Sequence, residues 1–218
     1  VEIDAEFSPG LVRNSNAWAL EAATRALGAD PERQPIVGDT VEELQLALQS
    51  ASETDIVVTI GGVSMGDYDL VKHVLAGQGE MEFWQVNMRP GKPLAFGTFN
   101  GTPLIGLPGN PVSSMVGFML FVRPALLRLM GHTDLRHPRI HAVATEQLRS
   151  SDGKRTFVRV TVERENDVLV CRGAGDQGSY RMSSLIAGQG LAVIYEGQSV
   201  LPGDLVEILV IDDTVHQL

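Results

Sequence analysis

The stretch DIVVTIGGVSMGDYD, residues 55–69, decides how this chain folds. Asp55–Ile60 is a short run of Val, Ile and Thr, the pattern of a strand buried on both faces. Gly61 and Gly62 follow at once, and the helix-like segment Leu70–Ala76 comes after the loop. Glycine belongs where the backbone takes positive φ or lies against a ligand, and strand-to-helix turns are where open α/β sheets bind ligands. Two further turns lie downstream. Arg89-Pro90-Gly91-Lys92-Pro93 separates strands expected near Met81–Met88 and Leu94–Thr98. Gly106-Leu107-Pro108-Gly109-Asn110-Pro111-Val112-Ser113-Ser114 follows the apolar run Pro103–Leu107. Three such loops in succession, carrying Asp67, Asp69, Arg89, Lys92 and serines, describe a site for an anion and a metal.

Outward from the loops, the punctuation is regular. Asn14-Ser15-Asn16 offers caps for a helix over Trp18–Leu27, closed by Gly28. Ala29–Val37 holds two prolines and reads as loop with one short strand. Thr40-Val41-Glu42-Glu43 is a capping box opening a helix to about Ser52. Asn110 as cap with Pro111 at the first helical position opens a helix that runs to Met130 and stops at Gly131. Beyond Gly131 the rhythm changes to short β segments: Arg139–Leu148, Lys154–Glu163, Val168–Arg172, Leu191–Glu196 and Leu205–Ile211. They are broken by Asp-Gly, Asn-Asp and Pro-Gly-Asp turns. Residues 1–135 are therefore expected to form an α/β domain and residues 136–218 a small all-β, barrel-like domain.

A chain of 218 residues with 44% hydrophobic and 20% charged side chains suits an ordinary globular protein. The net charge of −10 argues against general nucleic-acid binding, which relies on basic groups meeting phosphates. No apolar run approaches the ~20 residues of a membrane span, and no signal peptide opens the chain. The single cysteine, Cys171, forms no internal disulfide, which suits a reducing cytoplasm; its apolar setting reads as a strand residue rather than a nucleophile. Residues 1–135 hold 8 basic against 16 acidic side chains. An anion must therefore be captured locally, against an unfavourable field.

The capturing groups follow from chemistry. Gly61, Gly62, Ser64 and Gly66 shape a first loop whose backbone N–H groups can bind phosphate oxygens. Asp67 and Asp69 are hard oxygen ligands suited to Mg²⁺, with helix capping as their alternative role. Arg89 and Lys92 flank Gly91 and can make charge-assisted bonds to a phosphate or another oxyanion; the alternative is a pair of solvated turn cations. Gly109, Asn110, Ser113 and Ser114 sit at a helix N-terminus, where free N–H groups favour an anion, although Asn-Pro is also an ordinary helix opener. His73, His132, His137, His141 and His216 show no metal-ligand spacing, and Trp18 and Trp84 are expected in the core.

GGVSMGDYD (61–69), RPGKPLAFG (89–97) and GLPGNPVSS (106–114), with Gly175-Asp176-Gln177-Gly178-Ser179 and Met182-Ser183-Ser184 near the end, resemble the molybdopterin molybdenumtransferase family. That family includes bacterial MoeA and the E domain of gephyrin. The likeness runs from about Pro9 to the last residue. It implies a three-layer α/β molybdopterin-binding domain followed by a small β-barrel domain. It also implies insertion of molybdate into adenylylated molybdopterin with release of AMP, and Mg²⁺ as cofactor. The positions matching Asp39, Asp69, Arg89 and Lys92 are implied to be catalytic; an N-cap role before the helix at Thr40 competes for Asp39. Arg159 and Ser179 match positions implicated in the substrate site, although Arg159 could equally be an exposed strand residue. Where the family usually has lysines, this chain has Arg89 and Gln85, so Gln85 is left out of the site.

The resemblance further implies a homodimer in the full-length protein, with molybdopterin adenylyltransferase as a partner and neither nucleic acid nor membrane. The family's opening Ser/Thr-Gly-Asp-Glu strand motif does not precede Pro9, and two N-terminal domains are not in the sequence. The chain is thus expected to be a fragment holding most of the ligand site. Molybdopterin adenylyltransferase is the enzyme alternative, sharing the α/β domain but lacking the β domain; a gephyrin-like scaffold is the non-catalytic one.

Overall fold

The computed structural model describes residues 1–6, 8–38, 40–51, 53–62, 81–150, 153–212 and 215. The chain separates into two compact units, one made of Val1–Val86 and Pro93–Leu135, the other of Asn87–Lys92 and Arg136–Leu218.

In the first unit, α1 (Ser15–Ala26) starts at Asn14, whose side chain accepts from the Ala17 N–H, one residue before the helix proper. The capping box opens α2 (Val41–Ser50): Thr40 Oγ1 accepts from the Glu43 N–H at 3.3 Å and reaches Glu43 Oε2 at 2.8 Å. The sheet contains β1 (Val57–Ile60), β2 (Met81–Gln85), β4 (Pro93–Phe99) and β5 (Thr102–Leu107) in the order β1-β5-β4-β2. β1 runs parallel to β5, whereas β4 is antiparallel to both β5 and β2. The β4–β5 hairpin turns tightly through Asn100 and Gly101, both in left-handed conformation.

Alternation along the strands makes three layers. Val58, Ile60, Ile105 and Leu107 join Leu20 of α1 and Phe118, Val122 and Leu126 of α3 (Pro111–Leu129) in one core. Val57, Leu104 and Phe99 join Leu44 and Leu48 of α2 in the other. α3 contains one π-helical stretch, Phe118–Val122, in which the Arg123 N–H bonds back to the Phe118 carbonyl. Pro124 comes next; it cannot donate and its ring crowds the preceding turn, so a wider turn accommodates it. The helix ends in a Schellman pair, with Gly131 N–H to the Arg128 carbonyl and His132 N–H to the Leu127 carbonyl.

Several expectations need correcting. By length and composition α3 is apolar enough to cross a membrane, which the sequence reading denied of every segment; half of it is buried against the sheet, which accounts for that apolarity. Residues 29–37 form no strand. The strand expected over Met81–Met88 stops at Gln85, because the chain there leaves this sheet and residues 87–92 join the other unit. Trp18 is 40% exposed rather than in the core, with the Arg33 guanidinium 4.0 Å above its ring. The helix expected near Leu70–Ala76 lies outside the described residues.

The second unit is a closed barrel. β10 (Gly190–Ile194), β12 (Leu205–Val210), β6 (Arg139–Ala144), β9 (Val168–Gly173) and β8 (Arg155–Glu165) follow one another, and β8 pairs with β10 to complete the ring. β3 (Met88–Arg89) adds to β8 in parallel. Ala142, Val160, Val162, Ala192, Ile194, Val206 and Ile208 fill the interior. β7 (Leu148–Arg149) and β11 (Ser199–Val200) form a separate ribbon, so the segment expected over Arg139–Leu148 is split. The six-residue helix α4 (Met182–Ala187) was not anticipated, being too short to show a period.

Gly190 is where the ring closes, paired with Val160 on one side and Val210 on the other. A methyl there would overlap Ile208 Cγ2 and sit 3.0 Å from the Leu209 carbonyl oxygen. Gly190→Ala is therefore expected to destabilise the barrel by about 1–3 kcal/mol, read as a lower denaturation midpoint. Cys171 is buried in the same interior, and burial together with the charge of Glu146 pushes its thiol from 9.0 up to about 11. The folded state thus favours the neutral thiol, and this contribution is full below pH 9 and lost as pH rises through about 11. Native protein at pH 8 should react with a thiol reagent only as fast as the barrel opens; rapid reaction would contradict this burial.

Candidate functional site

The parallel register of β1 and β5 runs from Val57 opposite Leu104 to Ile60 opposite Leu107, so both strands end at the same sheet edge. The Gly61 N–H donates to the Leu107 carbonyl at 2.8 Å, carrying the ladder one bond into the loop. Gly61 and Gly62 then take φ of 84° and 68°, a conformation that side chains resist, which is why a glycine pair follows the strand. A Cβ on Gly109 would lie 3.9 Å from the Gly61 Cα, so the first and third loops touch through bare backbone. The Asn16 side chain donates to the Gly109 carbonyl at 2.8 Å and ties the third loop to α1.

Asn110 is the N-cap of α3, and its side chain makes no capping bond. Pro111 carries no N–H, and the first-turn N–H groups of Val112 and Ser113 have no acceptor within the helix. The positive end of the helix dipole adds to them. Ser113 and Ser114 are buried here, and Ser114 Oγ has no hydrogen-bond partner, an orphaned hydroxyl that a bound water or ligand would satisfy. Gly61, Gly62, Gly109, Asn110 and Ser113 are thus brought together on one edge of the first unit. β2 ends at Gln85 opposite Pro93 of β4, where the β2–β4 connection begins.

That connection, Asn87–Lys92, belongs to the second unit. Met88 pairs with Arg155 and Arg89 with Thr156, and the Arg155 N–H donates to the Asn87 carbonyl at 3.1 Å. Arg89 and Lys92 are exposed, on either side of buried Gly91, whose φ is 99°. Arg159 lies three residues beyond Thr156 on β8, about 10 Å along the strand.

Arg159 is not an exposed strand residue: it is 1% exposed. Its Nε donates to Ser184 Oγ at 3.0 Å, and Nη2 donates to the carbonyls of Asp176 and Gly178 at 2.9 and 3.2 Å. Burial lowers its pKa and the Asp176 charge opposes that shift. Gln177 completes the arrangement, accepting from the Arg159 N–H at 2.9 Å and donating to its carbonyl at 3.1 Å. Half-buried Ser179 follows on the same loop.

Asp39, Ser64, Gly66, Asp67 and Asp69 lie outside the described residues. The cap of α2 is nonetheless assigned to Thr40, so the capping role that competed for Asp39 is filled by its neighbour. Among the described residues, no three His, Cys, Asp or Glu side chains are placed to hold a metal. Sequence reasoning missed Asn16, Gln177 and Ser184 as supports of the loops. Gln177 and Ser184 lie in the motifs quoted near the end of the chain, but the partners of the three are 93, 18 and 25 residues away, so no local pattern shows what they hold.

Residues 1–128 match the family described as a probable molybdopterin binding domain, and residues 141–211 match the MoeA C-terminal region, domain IV. The chain is 36% identical over 209 residues to molybdopterin molybdenumtransferase 2 of Mycobacterium tuberculosis, covering 93% of this chain and 49% of that protein. It is 31% identical to molybdopterin molybdenumtransferase of Haemophilus influenzae, covering 95% of this chain and 52% of the relative. The solved molybdopterin biosynthesis MoeA protein of Pyrococcus horikosii superposes with a TM-score of 0.79 at 30% identity, over 96% of this chain and 51% of that one. The chain therefore spans about half the length of these relatives. With a molybdopterin-binding α/β domain followed by a five-stranded MoeA-type barrel, it belongs to the MoeA family.

Proposed function

We propose that the protein is a molybdopterin molybdenumtransferase, inserting molybdate into adenylylated molybdopterin with release of AMP. The observation that carries this reading is the presence of both a molybdopterin-binding domain and a MoeA C-terminal region in one chain. The barrel weighs against the adenylyltransferase alternative, which has no such domain. A homodimer, a cytoplasmic setting and a contact with molybdopterin adenylyltransferase are part of the same proposal.

The chemistry asks for anion binding rather than a side-chain nucleophile. The bare backbone of Gly62 and Gly109 and the first turn of α3 offer N–H donors to phosphate oxygens, with the Gly61 N–H already spent on the Leu107 carbonyl. Arg89, Lys92 and Arg159 supply positive charge for the oxyanion and for the charge that develops as AMP departs. Asp67 and Asp69 are hard oxygen donors of the kind Mg²⁺ prefers and would hold it. Bound there, Mg²⁺ would neutralise phosphate charge. Ser64 and Gly66 would complete the first loop, Ser179 would contact the substrate, and Asp39 would act as a catalytic carboxylate.

The test is AMP release when the full-length protein is given adenylylated molybdopterin and molybdate. Wild type should release AMP in a molybdate-dependent way. Lys92→Ala and Arg89→Ala should each lower the rate roughly 10- to 100-fold, the range expected when one charge-assisted bond of about 1.5–3 kcal/mol is lost. Wild-type protein that releases no AMP overturns the proposed activity, and variants with unchanged rates remove these two cations from the site.

A further inference from the structure

We propose that Ser184 is a positioning residue that acts through Arg159, holding its guanidinium in the one orientation that leaves Nη1 for a tetrahedral oxyanion. The inference rests on the reading that Arg159 meets the molybdate substrate.

Both side chains are almost fully buried, Arg159 at 1% and Ser184 at 3% exposure. The Ser184 hydroxyl is committed twice: its Oγ accepts from Arg159 Nε and donates to the Arg181 carbonyl at 2.7 Å. Three of the five guanidinium N–H groups are thereby used, one on Ser184 and two on the carbonyls of Asp176 and Gly178. Nη1 has no partner among the described residues. Every acceptor bonded to the cation among the described residues is neutral. Asp176, the nearest candidate counter-charge, turns its carboxylate elsewhere, with Oδ2 on Arg181 at 3.1 Å and Oδ1 on the Gly178 N–H at 2.8 Å. A buried cation with only neutral partners is costly unless an anion joins it, and the unfilled donors are on Nη1.

The hydroxyl matters because a guanidinium is planar. Fixing Nε on Ser184 and Nη2 on two carbonyls defines that plane, and with it the direction of Nη1. Without the Ser184 acceptor the Nε–H is unsatisfied, and the long side chain regains rotamers that oxyanion binding must then freeze. The motif Met182-Ser183-Ser184 marks the serine in the sequence but not its partner, which lies 25 residues away.

The test is calorimetric titration of the 218-residue chain with molybdate, on wild type, Ser184→Ala, Ser184→Thr, Arg159→Met and the double variant Arg159→Met/Ser184→Ala. Ser184→Ala should weaken binding about tenfold, a coupling of about 1.4 kcal/mol, and Ser184→Thr, which keeps the hydroxyl, should restore it. In the Arg159→Met background, Ser184→Ala should cause no further loss; a merely structural role would add its loss there as well. If Ser184→Ala does not fold, Ser184→Cys carries the same comparison, since sulfur keeps the volume but accepts weakly. Arg159→Met that weakens binding while Ser184→Ala does not overturns the role of Ser184 alone. Arg159→Met with wild-type affinity, or wild type that binds no molybdate, overturns the reading of Arg159 and this inference with it.

Discussion

The site in the first unit depends on one pairing, the parallel ladder between β1 and β5. Parallel neighbours end at the same edge, so whatever follows Ile60 and Leu107 must share that edge. The Gly61 N–H on the Leu107 carbonyl extends the pairing into the loop. The rest of the unit protects this arrangement: α1 and α3 cover one face of the sheet and α2 the other, and Asn16 ties the third loop to α1. Bare backbone is what remains where the loops meet, and bare backbone is what a phosphate can approach closely.

In the second unit the corresponding constraint is ring closure around β8. This long strand pairs with β9, β10 and β3; Val158, Val160 and Val162 face the barrel core, and Arg159, alternating with them, is buried on the other face of the strand. The loop at Gly175–Ser179 is built around that cation, through two carbonyls, a glutamine amide and a serine hydroxyl. A buried arginine without a bonded carboxylate is a poor device for stability alone. It is better suited to meeting an anion. Cys171, in the same barrel, shows the contrasting case: a titratable group kept neutral by burial and used as a small apolar residue.

Local chemistry was legible in the sequence because local chemistry causes it. The capping box at Thr40, the Asn-Pro opening and glycine stop of α3, the apolar run of β1 with its glycine pair, and the change of rhythm after Gly131 are all decided within a few residues. They sufficed for an α/β domain followed by a β-barrel. Strand ends were less certain, as at Gln85, because a strand stops where its neighbours stop.

Only the tertiary structure decided which distant groups meet. The Asn87–Lys92 turn reads as part of the α/β domain, yet it pairs with β8, because an edge strand takes whichever ladder is open beside it. Arg159 could be read as exposed, and the Gly175–Ser179 loop with Ser184 of α4 buries it. Trp18 looks like core, but the groups that would cover it are not in its own helix, and it stacks under Arg33 instead. The sequence by itself determined element types and the glycine-marked turns, since propensity, capping and turn chemistry act over a few residues. Which polar groups face one another was decided by strand pairing and ring closure, since those contacts join residues that no short-range pattern connects.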